Sequence, residues 1–232
     1  MAVAGGGVRM AFMEPINPSD FLATPAVEDW RLLSDGANAF FATASLAESV
    51  RLLEAIAAIP GIDEHPPAVD VRADGITVRT VTFEPGFDGL SSRDLEVARA
   101  VSSAARALGC VADPSRLQSL LVIPGAPGGT DILPFWRAAL DYDQRPDSPD
   151  EDLVDPRGRS TPFWFERMKE ARGGGGAIHL AVWLPPEQAR ARIDAALAAG
   201  GHIVRDDFAP SWWTLADAAG NEVDISSIEG RI

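Results

Sequence analysis

The chain contains a single cysteine, Cys110, in 232 residues. One thiol excludes an internal disulfide and a cysteine-rich zinc site, and it suits a reducing compartment. It reads as a buried helix-end thiol, because free cysteine packs as a small hydrophobe. Lysine is as scarce, with Lys169 the only one, and acidic residues outnumber basic ones 34 to 20 for a net charge of −14. Up to Asp113 there are 8 basic against 16 acidic residues, and after it 12 against 18. Neither half offers the basic footprint that nucleic acid or an anionic membrane requires. No apolar run approaches the ~18 residues of a membrane span. The opening MAVAGGGVRMAFM lacks the apolar core of a signal peptide. Residues 1–19 are expected to form a flexible leader on a soluble, cytoplasmic protein.

What is present is a 46% hydrophobic chain, enough for a real core. Pro18-Ser19-Asp20 opens a short helix. Trp30–Ser34 and Ala37–Thr43 read as strands joined by the hairpin signal Asp35-Gly36. Ser45-Leu-Ala-Glu48 is a capping box. It opens a helix to about Ile59 with Leu46, Val50, Leu53, Ile56 and Ala57 on one face. Residues 68–72 form a strand, Ala73-Asp74-Gly75 a turn, and Ile76–Phe83 a longer alternating strand. Ser91 or Ser92 caps a second helix that turns Leu95, Ala98, Val101, Ala105 and Leu108 inward, and Gly109 ends it. The order (α)ββαββα predicts an antiparallel sheet with helices on one face, an α+β arrangement.

Four motifs occur in order here: Trp30 at a strand start, His65-Pro66-Pro67, Thr82-Phe83-Glu84 and Gly89-Leu90-Ser91-Ser92-Arg93-Asp94. Together they make residues 20–112 resemble pterin-4a-carbinolamine dehydratase. The resemblance implies loss of water from a 4a-hydroxytetrahydropterin, with a proton donor to the leaving hydroxyl and a base at the ring nitrogen. The family uses three histidines for this. His65 holds the first position, while Pro66 and Phe83, which cannot carry a proton, stand at the others. Glu84, with Asp63, Glu64 and Asp88, is near enough in sequence to substitute.

After Asp113-Pro114-Ser115 the pattern changes. Arg116–Ile123 is predicted as a strand, Pro124–Asp131 as a loop, Ile132–Leu140 as a helix and Thr161–Met168 as a strand, with a hinge at Gly173–Gly176. Ala177–Leu184 is then a strand, Pro186–Ala199 a helix, and His202–Asp206, Trp212–Ala216 and Glu222–Ile225 are strands. A D-x-x-G turn recurs at Asp155–Gly158 and Asp217–Gly220, so the half reads as two βαβββ units.

Tandem βαβββ units, with Phe165-Glu166-Arg167, Ile178-His179-Leu180 and Gly220-Asn221-Glu222-Val223, resemble the vicinal-oxygen-chelate superfamily. This is the glyoxalase/bleomycin-resistance fold, and the likeness is to its actinobacterial glyoxalase-like domains. The resemblance assigns residues 113–232 to that domain. It implies a divalent metal held by Gln118, Glu166 (or Trp164), His179 and Asp224, a donor set able to bind one. Trp212 and Trp213 are adjacent on a strand, so they face opposite sides. One of them, with Trp164, is expected to line a cleft for a flat, ring-containing ligand.

Two functions remain open at this point. One is a small-molecule enzyme of lyase, dehydratase or isomerase type, with protons handled by His65, or by His179 with Glu166 and Asp224. The other is a non-catalytic ligand- or drug-binding protein whose first half dimerises. Both imply a small-molecule ligand and a homodimer.

Overall fold

The computed structural model describes residues 13–127, 131–168, 177–216 and 222–231. Residues 1–12 of the expected leader, the Gly173–Gly176 hinge and the Asp217–Gly220 turn lie outside the described residues. The molecule is α+β, with an antiparallel N-terminal sheet and a larger, mixed C-terminal sheet.

Helix α1 (Pro18–Ala23) starts at Asn17, whose side chain accepts from the Asp20 amide. Strands β1 (Arg31–Leu33) and β2 (Gly36–Ala42) form the expected hairpin, but Leu33 pairs with Gly36, so the turn residues are Ser34 and Asp35 rather than Asp35 and Gly36. In α2 (Leu46–Ala57), Ser45 caps the Glu48 amide, and Glu48 reaches back to the Ala44 amide rather than that of Ser45. The buried face of α2 differs from expectation: Ser49, Leu52 and Ile56 point inward, while Leu46 and Val50 are exposed. Ser49 is the reason. Its hydroxyl bonds Thr43 and the Arg72 carbonyl, which fixes the rotation of the helix on the sheet.

Strands β3 (Ala68–Arg72) and β4 (Gly75–Thr80) complete the first sheet, in the order β1-β2-β4-β3. The expected long strand through Phe83 breaks at Val81. Pairing with β2 ends at Thr80 and pairing with β3 ends at Arg79, so no ladder continues. The chain instead makes a separate hairpin from β5 (Thr82–Glu84) and β6 (Phe87–Gly89). Helix α3 (Ser92–Ala107) opens with a capping box between Ser91 and Asp94, and β7 (Val111–Ala112) returns to β2. Ala98, Val101 and Ala105 are buried as expected, whereas Leu108 on the last turn is exposed. The core on the helix side holds Phe21, Trp30, Phe41, Leu52, Ile76, Val78 and Val101.

In the second half Asp113 caps a 3-10 turn over Pro114–Arg116, so β8 (Ser119–Pro127) begins and ends later than expected. Its Pro/Gly end is held as strand because neighbours pair with it on both sides. Helix α4 (Leu133–Leu140) follows, then β9 (Asp143–Gln144), β10 (Asp152–Val154), β11 (Phe163–Trp164) and β12 (Glu166–Met168). The expected Thr161–Met168 strand is interrupted at Phe165, which is buried and whose amide donates to the Glu151 carbonyl. The second unit comprises β13 (Ala177–Trp183), α5 (Pro186–Ala198), β14 (His202–Arg205), β15 (Trp212–Ala216) and β16 (Glu222–Ser226).

The two units repeat one topology. In each, the first strand runs parallel to the last: β8 to β11 and β12, β13 to β16. The units join through antiparallel β8–β13, which places His179 opposite Ile123 and Ala181 opposite Leu121. Strand alternation then sorts the side chains. Leu121, Ile123, His179, Ala181, Trp183, Trp212 and Asp224 share one face. Val182, Trp213, Leu215 and Ile225 share the other, where α5 covers them.

The first half packs against the uncovered face. Leu33 and Phe40 join Leu117, Ile123, Ala181 and Trp183 in one buried cluster. Arg31–Glu187 (2.7 Å) and Ser34–Ser119 (2.8 Å) bridge the two halves at the rim.

Candidate functional site

His65 and Asp94 form a largely buried, multiply bonded polar group in the first half. Asp94 is at the N3 position of α3 and is fully buried. Its Oδ1 accepts from Thr80 Oγ1 (2.5 Å) and contacts His65 Nε2 (2.8 Å). Its Oδ2 accepts from the Ser91 amide (2.8 Å) and meets the hydroxyls of Thr82 (2.6 Å) and Ser91 (3.0 Å). Burial alone pushes this carboxyl upward. The hydrogen bonds from His65, Thr80, Thr82 and Ser91 outweigh burial and hold it below the usual aspartate value. The ionised carboxylate only accepts, so Nε2 must donate and Nδ1 is left as the basic nitrogen of the neutral ring. The His65 side chain keeps 18% of its surface open. Glu84 lies apart from this pair, 3.9 Å from Arg93.

The donors expected for a metal in the second half do not converge. His179 Nε2 and Asp224 Oδ2 are 3.4 Å apart, and Thr214 donates to Asp224 Oδ1 at 2.6 Å. Gln118 precedes β8 with the opposite strand parity and accepts from Arg192 of α5 at 2.9 Å, on the helix side. Glu166 sits opposite Gly125, across β8 from β13 and two residues along from the His179–Ile123 pair. Among the described residues no three His, Cys, Asp or Glu side chains are grouped to hold a metal. This donor set does not fit a metal centre.

The tryptophans divide as alternation requires. Trp213 packs under α5. Trp212, on the concave face, stacks on Phe208 with ring centroids 4.1 Å apart. The Arg231 guanidinium sits 4.7 Å from the Trp183 ring centroid and 5.1 Å from that of Trp212, a cation–π arrangement. The concave face of the second unit is thus already covered by the chain's own residues. Trp164 is 37% exposed and lines an open cleft of about 1630 Å³ between the two halves.

That cleft runs along the outer side of the first sheet, where Arg79 points. Thr80 and Thr82 instead bond Asp94 among the buried residues, so the His65–Asp94 pair and the cleft are separate sites. Arg79 is engaged with the carbonyls of Asp35 and Gly158, both at 3.2 Å. Arg145 lies between Asp147 (2.7 Å), Asp88 (3.5 Å) and Asp152 (3.6 Å). Burial pushes Asp88 up to about 6, with Arg145 pulling it down less strongly.

Sequence reasoning named the Gly89–Asp94 motif without giving Asp94 a role. The N3 acid of that capping box was the available signal. Nothing local marked Arg231, whose ring partners Trp183 and Trp212 are distant in sequence, or the reach of Arg145 to Asp88.

No curated protein matches the chain. Among solved structures, one similar chain is described as a glyoxalase/bleomycin resistance protein/dioxygenase superfamily member from Vibrio splendidus 12B01. It is 14% identical, covers 47% of this chain and 99% of its own, and has a TM-score of 0.29. Residues 121–226, which span β8 to β16, match the glyoxalase-like domain family, so the C-terminal half of the chain carries a glyoxalase-like domain.

Proposed function

We propose that the chain is a small-molecule enzyme of hydro-lyase type, acting on a cyclic or heteroaromatic metabolite. In this reading residues 20–112 form a pterin-4a-carbinolamine dehydratase-like domain fused to a glyoxalase-like domain over residues 113–232. The observation that carries it is the His65–Asp94 pair, because Asp94 fixes which imidazole nitrogen is basic.

One imidazole balances the elimination. Nδ1 takes the proton from the ring nitrogen as the carbon–oxygen bond breaks, and Asp94 stabilises the imidazolium. The same proton then completes the leaving water, so Pro66 and Phe83 remove no indispensable group. Dehydration of a 4a-hydroxytetrahydropterin, followed by absorbance, tests this. The His65→Ala variant is expected to lose about 100-fold or more in rate, and an unchanged rate removes His65 from the mechanism.

A second reading is a non-catalytic ligand-binding protein of the bleomycin-resistance kind, with a structural first half. The exposed Trp164 and Phe83 along the cleft favour it. Both readings include a homodimer. Its support is the exposed strip Leu120, Ile178 and Leu180 on the outer side of β8 and β13. Light scattering that returns the monomer mass removes that assembly.

A further inference from the structure

Two aromatic–carboxylate pairs face the cleft, one from each half of the chain. Phe83 is directly opposite Asp88 on the β5–β6 ladder. Trp164 is directly opposite Asp152 on the β10–β11 ladder. All four residues line the cleft, and directly opposed strand residues bring their side chains within contact range. Arg145 joins the pairs, lying 3.5 Å from Asp88 and 3.6 Å from Asp152.

The charges in this corner do not cancel. Arg145 also holds Asp147 at 2.7 Å, so one guanidinium serves three carboxylates. Burial pushes both Asp88 and Asp152 upward, against the weaker pull of Arg145. Arg79, on the opposite wall, bonds two backbone carbonyls and lies 3.8 Å from the Asp35 carboxylate, and its pull on Asp88 is weaker than the effect of burial. An anionic ligand would meet this acidic excess, whereas a cationic or N–H-rich edge would relieve it.

The aromatic walls set the shape. Phe83 is 46% exposed and Trp164 37%, so both present ring surface that a flat ligand can cover. A third observation is independent of charge. Trp183 lines the same cleft at 8% exposure, and its Nε1 is buried without a hydrogen-bond partner among the described residues.

We infer that the cleft is a composite site, with one wall from each half, for a planar heteroaromatic molecule bearing a cationic or amidinium-type edge. The rings of Phe83 and Trp164 cover its faces, and Asp88 and Asp152 receive its N–H groups. The inference rests on the ligand-binding reading and adds to it the ligand's charge and the contribution of the first half. It is separate from the His65 chemistry.

Titration calorimetry on the full chain tests it, with benzamidine as the cationic probe and benzoate as the anionic probe of similar ring size. Benzamidine is expected to bind saturably and at least about tenfold more tightly than benzoate. Asp88→Asn and Asp152→Asn should each weaken benzamidine about fivefold or more, and His65→Ala should leave it unchanged. Thermal melts establish that each variant is folded, and Phe83→Leu provides a second variant of the first-half wall. Equal binding of benzoate overturns the charge assignment. Weakening by Asp152→Asn but not by Asp88→Asn or Phe83→Leu leaves the ligand-binding reading standing and overturns the composite site. Absence of saturable benzamidine binding overturns both.

Discussion

His65 Nε2 lies 2.8 Å from Asp94 Oδ1, and Asp94 has no exposed surface. A carboxylate at the N3 position of α3 therefore carries the helix cap, two strand threonines and the imidazole at once. Replacing it with the isosteric Asn removes the charge and turns an acceptor into a donor facing other donors. Asp94→Asn is expected to cost about 3 kcal/mol, the range for breaking a buried charged pair. Urea denaturation at neutral pH measures this, and a loss below about 1 kcal/mol contradicts the account.

The same carboxylate sets an acid limb of stability. Its value in the folded state is lower than the ordinary 3.8, so its contribution is complete above that value. The contribution fades as the pH falls through the lower, folded value. Stability measured between pH 5 and pH 2 should fall less steeply in Asp94→Asn than in the parent chain. Parallel curves would show that Asp94 is not the group responsible.

Asp88 has the opposite sign. Burial raises its folded value to about 6, so the folded state binds the proton more tightly than the unfolded one. Stability is then lost as the pH rises from about 4 to about 6, by up to about 3 kcal/mol. Asp88→Asn should raise the melting temperature at pH 8 and change it little at pH 4. The reverse pattern would mean that the Arg145 ion pair outweighs burial.

Gly75 opens β4 beneath the Phe40 ring. A Cβ added there would collide with Phe40 Cζ and lie 2.7 Å from the Phe41 carbonyl oxygen. Phe40 belongs to the cluster that joins the two halves. Gly75→Ala should cost about 1–3 kcal/mol, the range for overpacking, and should loosen that junction. Thermal melting together with limited proteolysis between residues 113 and 118 checks both effects.

Much of the architecture was legible because local signals agreed with one another. The Ser45 and Ser91 caps form where turn chemistry places them, the first hairpin lies one residue from its Asp35-Gly36 signal, and the order of elements in the two later units follows periodicity. The misreadings share a physical origin, since each was decided by a partner distant in sequence. Ser49 reaches the Arg72 carbonyl and turns α2. Strand β4 stops where its neighbours stop. Gln118 falls on the helix side because the β8–β13 register puts Leu121 and Ile123 on the other face, and there it accepts from Arg192. The site was legible to the same degree. The opposite facing of Trp212 and Trp213 followed from the chain, but the packing of the first half onto the concave face did not. That packing places Leu33 and Phe40 against Ala181 and Trp183, and no local pattern encodes it.

The most direct test of the central claim is the rate of 4a-hydroxytetrahydropterin dehydration by the intact chain, compared with that of His65→Ala. The account predicts dehydration above the uncatalysed rate and its near-complete loss in the variant. An intact chain no faster than the uncatalysed reaction, or a variant as fast as the parent, would contradict it.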